Sequence, residues 1–118
     1  MANVLDKIIE DKKESLKLIK KTNSLDSIEN TIKSLNNFLN FKEVIASNNR
    51  ASLITEIKKA SPSAGELVKD FNHLNIAKMY VDNGATCLSV LTEEKHFLGK
   101  LDYIRDIKNK FKIPVLAK

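Results

Sequence analysis

Three strand-like segments, the first of them rich in β-branched residues, recur at an interval of roughly thirty residues, starting near positions 53, 86 and 113, a spacing that suits repeated βα units. They are Leu53–Lys58, Cys87–Leu91, which is continuously apolar apart from Ser89, and Ile113–Lys118. Pro114 is tolerated because it stands near the start of its segment. Between the first two, Asn72 can cap a helix carrying Leu74, Ala77, Tyr80 and Val81, and Asn83-Gly84 supplies a left-handed stop. Between the last two, a polar loop through Gly99 leads into a helix marked by Leu101, Ile104 and Ile107. Strand–helix–strand–helix–strand with apolar strands predicts an α/β fold whose parallel sheet is joined by right-handed crossovers.

The residues ahead of this pattern are helical in period. Val4, Leu5, Ile8, Ile9, Leu16 and Ile19 form a stripe on a helix over about residues 3–21. Thr22-Asn23-Ser24 breaks it, and Ser24 can cap a second helix with Asp26 and Glu29 in its first turn. Leu25, Ile28, Ile32, Leu35 and Leu39 then alternate steps of three and four, as one amphipathic helix requires. A short third segment carries Phe41, Val44 and Ile45. The chain thus divides into a helical extension, residues 1–50, and a βα part, residues 51–118.

Composition excludes several classes. Hydrophobic residues make up 42% and charged residues 30%, which argues against disorder. There is no apolar run of membrane-spanning length and no signal-peptide pattern. The single cysteine, Cys87, cannot form an internal disulfide, which fits a reducing cytoplasm, and its apolar surroundings make it a structural thiol. His73 and His96 have no metal-ligand spacing around them, so no metal is expected. The net charge of +5 rests on lysines that alternate with acids, and only Arg50 and Arg105 are arginine. Such a surface does not read as a nucleic-acid face, although it can attract an anionic small molecule.

In parallel βα architectures ligands bind at the C-terminal ends of the strands. Glu56, Lys58, Ser61, Leu91-Thr92-Glu93 and Lys118 all fall there. Alternation puts Glu56 and Lys58 on one face of the first strand and Ile57 and Lys59 on the other. Charges buried at a strand end are costly unless they are paired, solvated or used. A plain ion pair closing the strand is one reading; a paired carboxylate and ammonium at a site mouth is the other. Lys118 adds a second ammonium at the equivalent place on the third strand, and a lysine can hold an anion or donate a proton.

Glu56-Ile-Lys-Lys-Ala-Ser-Pro-Ser63, Gly84-Ala85, Ser89-Val-Leu-Thr-Glu93, Phe97-x-Gly99 and Ile113-Pro-Val-Leu-x-Lys118, taken in order, resemble indole-3-glycerol phosphate synthase. Val4-Leu-Asp-Lys-Ile-Ile-Glu-Asp-Lys12 resembles that family's leading helix. The resemblance implies a (β/α)8 TIM barrel preceded by N-terminal helices. It also implies an enzyme of tryptophan biosynthesis, a lyase needing neither metal nor organic cofactor. Such an enzyme closes the indole ring of 1-(2-carboxyphenylamino)-1-deoxyribulose 5-phosphate with loss of carbon dioxide and water. By the same resemblance Lys118 is the general acid and Lys58 the cation facing the substrate's anionic groups. Glu56 orients the lysines and takes part in the later dehydration. Ser61 and Pro62 line the substrate pocket, and Phe97 is the aromatic wall against the anthranilate ring. Thr92 and Glu93 are read mainly as loop structure.

Ala64 stands where the family often has a basic residue and Lys100 where it often has serine. The larger departure is extent. A barrel of this type needs roughly 200–250 residues or more, whereas these 118 residues carry about three strands of eight. In the family the units beyond supply a second glutamate, an asparagine and a glycine-rich phosphate cradle. Open sheet edges and an uncovered apolar face lead us to expect self-association or a complementary C-terminal barrel fragment. The chain by itself is expected to be inactive. A decayed, non-catalytic barrel fragment and a helical protein-interaction module are the alternatives.

Overall fold

The computed structural model describes residues 3–118. The chain forms two compact units, one ending at Phe38 and one running from Leu39 to Lys118. Among the described residues no helix is long and apolar enough to cross a membrane.

The first unit holds α1 (Val4–Thr22) and α2 (Leu25–Ser34). A reciprocal capping box starts α1: the Asn3 side chain accepts from the Asp6 N–H at 2.9 Å, and the Asp6 carboxylate accepts from the Asn3 N–H at 3.2 Å. Ser24 caps α2 by accepting from the Ser27 N–H at 3.2 Å. The expected second helix reached Leu39, but α2 stops at Ser34, and Leu35 is already extended. Thr31 and Ser34 turn their hydroxyls back onto the carbonyls of Ser27 and Thr31, and Asn36-Asn37 follows. Residues of these types compete with the helix for its own backbone groups. A three-four spacing of leucines does not register that competition.

The second unit is α/β. It runs α3 (Phe41–Ala46), β1 (Ile54–Ile57), β2 (Ala60–Ser61), β3 (Gly65–Glu66), α4 (His73–Asp82), β4 (Cys87–Val90), α5 (Asp102–Lys110) and β5 (Val115–Ala117). A three-stranded sheet has the order β1-β4-β5 with both pairings parallel. Register aligns Glu56 with Ser89 and Leu116, and Ile57 with Val90 and Ala117. The pleat therefore sends Ile57, Leu88 and Val90 into a core with Ala77 of α4, Ile107 of α5 and Ile113. The opposite face carries Ile54, Glu56, Cys87, Ser89 and Leu116. Its central residues Cys87 and Ser89 are buried, whereas Ile54 and Leu116 on the flanking strands are 47% and 48% exposed.

Two turns control where the strand ends stand. Asn72 caps α4 through the Asn75 N–H, and Gly84, at φ +88°, closes that helix. The left-handed step belongs to Gly84 alone, since Asn83 keeps a negative φ. After β1 the Ser61-Pro62-Ser63 segment is more than a simple turn. It belongs to a short antiparallel ladder, β2 with β3, in which Gly65, paired with Ser61, takes φ +67°.

Gly99 has a different reason to be glycine. A Cβ there would lie 2.1 Å from the Leu91 carbonyl oxygen and 2.9 Å from the Thr92 nitrogen. Both are backbone atoms of the segment leaving β4, so neither can swing aside. Gly99→Ala is expected to cost about 2–3 kcal/mol, the upper part of the overpacking range. At roughly 4–8 °C per kcal/mol for a domain of this size, its thermal midpoint by circular dichroism should fall by about 10 °C or more. A midpoint within about 2 °C of the parent would show that the loop yields freely.

Candidate functional site

Strand alternation brings Glu56 to one face of β1, and the sheet brings Lys118 beside it. The Glu56 carboxylate is shared. Lys58 Nζ lies 2.6 Å from Oε1, and Lys118 Nζ donates to Oε2 at 2.7 Å. The Glu56 and Lys58 side chains are each 30% exposed and that of Lys118 is 55% exposed, so the trio sits at a rim with one flank open to solvent. Burial pushes the Glu56 carboxyl up, but hydrogen bonds and charge from Lys118 and Lys58 outweigh it and hold the group below its ordinary range. Two ammonium groups and one carboxylate leave a net positive charge, which favours an anionic ligand.

Neighbouring elements place each member. The Tyr80 hydroxyl of α4 donates to the Glu56 carbonyl at 3.1 Å, tying the middle of β1 to the helix behind it. The Lys118 N–H donates to the Val90 carbonyl at 2.9 Å. Its carbonyl accepts twice from Thr92, from the N–H at 2.8 Å and from Oγ1 at 2.9 Å. Lys59, one residue beyond Lys58 and so on the other face, pairs with Glu66 of β3 at 3.6 Å. The pleat thus separates adjacent lysines into a site lysine and a hairpin lysine.

The remaining expected residues belong to loops around this end of the sheet. Ser61 Oγ accepts from the Ala64 N–H at 3.2 Å and lies 3.5 Å from Ser63 Oγ, so it is tied into its own hairpin, with Pro62 exposed at the tip. Phe97 is half-buried in the loop after β4, where its N–H donates to Glu93 Oε2 at 3.0 Å. Glu56, Lys58 and Lys118 form one hydrogen-bonded cluster, whereas Ser61 and Phe97 are held by their loops. Tyr80 was expected only on the apolar face of its helix, and Thr92, though at the ligand end of its strand, mainly as loop structure. A tyrosine at a helical core position and a threonine after a strand carry no local mark of such contacts.

Two other groups have structural work. His73 Nε2 lies 3.1 Å from Asp106 Oδ2, and its ring stacks on Tyr103 at 4.4 Å, which joins α4 to α5. Cys87 is fully buried, and burial pushes its thiol up, away from the thiolate.

A family model described as indole-3-glycerol phosphate synthase matches residues 5–118. Curated relatives of that name are similar over nearly the whole chain. The protein from Clostridium acetobutylicum is 45% identical over 116 residues, which are 98% of this chain and 44% of the relative. The one from Desulforamulus reducens is 41% identical over 115 residues, 98% of this chain and 43% of the relative. The one from Legionella pneumophila strain Lens is 41% identical over 118 residues, 100% of this chain and 45% of the relative. The chain therefore spans less than half the length of these relatives.

Proposed function

We infer the activity from a premise that the match establishes: the chain belongs to the indole-3-glycerol phosphate synthase family. On this reading β1, β4 and β5 are three consecutive strands of a (β/α)8 barrel, and the chain corresponds to the N-terminal part of a cytoplasmic lyase. That enzyme closes the indole ring of 1-(2-carboxyphenylamino)-1-deoxyribulose 5-phosphate, releasing carbon dioxide and water, in tryptophan biosynthesis.

The observation that carries the reading is the Glu56 carboxylate shared between Lys58 and Lys118. Ring closure needs a proton delivered to the substrate's carbonyl oxygen as the aromatic carbon attacks. Lys118, the more exposed of the two ammonium groups, gives that proton as general acid. Lys58 stays charged and faces the substrate's anionic groups. Glu56 keeps both lysines within reach of one ligand, and its carboxylate serves the later dehydration. Ser61 and Pro62 line the pocket through small residues that allow close approach, and Phe97 offers a ring face to the anthranilate.

The phosphate and the second half of the pocket call for further βα units. Exposed Ile54 and Leu116, together with the outer edges of β1 and β5, support an occupant that continues the sheet. We take it to be a complementary C-terminal barrel fragment, with self-association as the fallback when that fragment is missing.

The test is indole fluorescence after adding the carboxyphenylamino-deoxyribulose phosphate, first to the 118-residue chain and then to the chain joined to the remaining five units of a family member. The expected result is a signal only after joining. Light scattering should find the isolated chain larger than a monomer. Absence of turnover after joining, with a folded barrel by circular dichroism, would refute the activity. A cooperative melt of an isolated monomer would refute the partner.

A further inference from the structure

The loop between β4 and α5 is organised around one carboxylate. Glu93 accepts from three backbone N–H groups: Lys95 at 3.0 Å on Oε1, and His96 at 2.7 Å and Phe97 at 3.0 Å on Oε2. Its own carbonyl accepts from the Gly99 N–H at 2.7 Å. Four backbone amides of the loop therefore close back onto a single residue.

We propose that Glu93 is a positioning residue of the site, whose carboxylate sets the loop before a ligand arrives and so fixes where the Phe97 ring stands. The inference rests on the reading of Phe97 as the aromatic wall. Three observations lead to it. First, an ionised carboxylate facing three amide donors makes charge-assisted bonds, stronger than loop contacts between neutral groups. Burial pushes the Glu93 carboxyl up, but those donors outweigh it and keep the group charged. Second, the loop cannot slide along the strand, because Gly99 lies directly against the Leu91 carbonyl. Leu98 is also held at φ +52°, a conformation that a leucine adopts only when its surroundings impose it. Third, the preceding residue, Thr92, grips the Lys118 carbonyl with two donors. One dipeptide thus anchors the loop to the strand end that presents the ammonium. A loop ordered in advance spares a ligand the entropic cost of ordering it, so the advantage falls on binding more than on the chemical step.

Glu93→Gln keeps the size and removes the charge, and its amide NH2 must face at least one N–H. Glu93→Asp keeps the charge and, as aspartates in turns do, can still reach amides two and three residues on. In the 118-residue chain, amide hydrogen exchange at His96 and Phe97 should be about tenfold faster in the glutamine variant, whereas the aspartate variant should keep His96, three residues on, near the parent rate. In the joined barrel, Glu93→Gln should raise KM about fivefold while kcat stays within about threefold. Phe97→Ala should raise KM by a similar factor, and the double variant should be no worse than Phe97→Ala alone. Unchanged exchange in Glu93→Gln would overturn the proposal. Fully additive effects on KM would also overturn it, since Glu93 would then act independently of the ring. If no variant of the joined barrel turns over, parent included, the proposed activity has failed. The exchange rates then decide the part played by Glu93.

Discussion

Lys118→Ala is expected to slow ring closure in the joined barrel by about 10²- to 10⁴-fold, the range for loss of a well-placed general acid. The fold should survive, because the Lys118 side chain is 55% exposed and Glu56 keeps Lys58 at 2.6 Å. The thermal midpoint should therefore stay within about 3 °C of the parent, which is the effect of less than about 1 kcal/mol. Lys118→Arg makes the assignment sharper. A guanidinium preserves the charge and the pairing with Glu56, yet it holds its proton too tightly to donate it. It should fall nearly as far in kcat while losing little substrate affinity. Single-turnover indole fluorescence separates the two quantities. If arginine restores activity to within about tenfold of the parent, Lys118 works as an electrostatic contact and not as the acid.

For Glu56→Gln we expect a loss of about 10²-fold in kcat/KM, together with a changed acid stability profile. The substitution leaves two ammonium groups around an uncharged amide whose oxygen alone accepts, so that one lysine faces a donor NH2 in place of a carboxylate oxygen. The lysines repel and drift apart, so the geometry on which proton delivery depends is lost. The pH dependence follows from the lowered Glu56 value, set against an ordinary 4.5. A carboxyl whose folded value is depressed adds stability that is fully present above the unfolded value and lost as pH falls through the folded one. The parent should therefore lose midpoint temperature on acidification below about 4.5, and Glu56→Gln should lose less over the same interval. Glu93, lowered by its backbone donors, contributes with the same sign and remains in both proteins, so the difference between the two curves isolates Glu56. Parallel curves would mean that the trio adds nothing to folding.

Much of the fold could be read in advance because the relevant signals are local. Apolar runs near 53, 86 and 113 became β1, β4 and β5 within a residue or two, since strands of a parallel sheet read as near-continuous apolar stretches, of which β4 is buried on both faces. Caps at Ser24 and Asn72 depend on groups three residues away. The failures have the opposite origin. A two-residue ladder such as β2 with β3 is too short to show a period, and α2 ended early through hydroxyl–carbonyl bonds that a leucine pattern cannot reveal. The close fit of Gly99 against Leu91 depends on how a loop returns to its strand.

The site divides along the same line. That Glu56 shares a face with Lys58 and not with Lys59 follows from the pleat, whose period of two operates between neighbours in the chain. That Lys118 reaches Glu56 from 62 residues away follows from no neighbour at all. It needs β4 to lie between β1 and β5 in parallel register, α4 and α5 to pack behind the sheet, and Thr92 to hold the end of the third strand. Alternation and capping are properties of a few consecutive peptide units, so they are written in their order. The meeting of two strand ends is a property of the packed sheet, set by the burial of Ile57, Leu88, Val90 and Ile107 in one core.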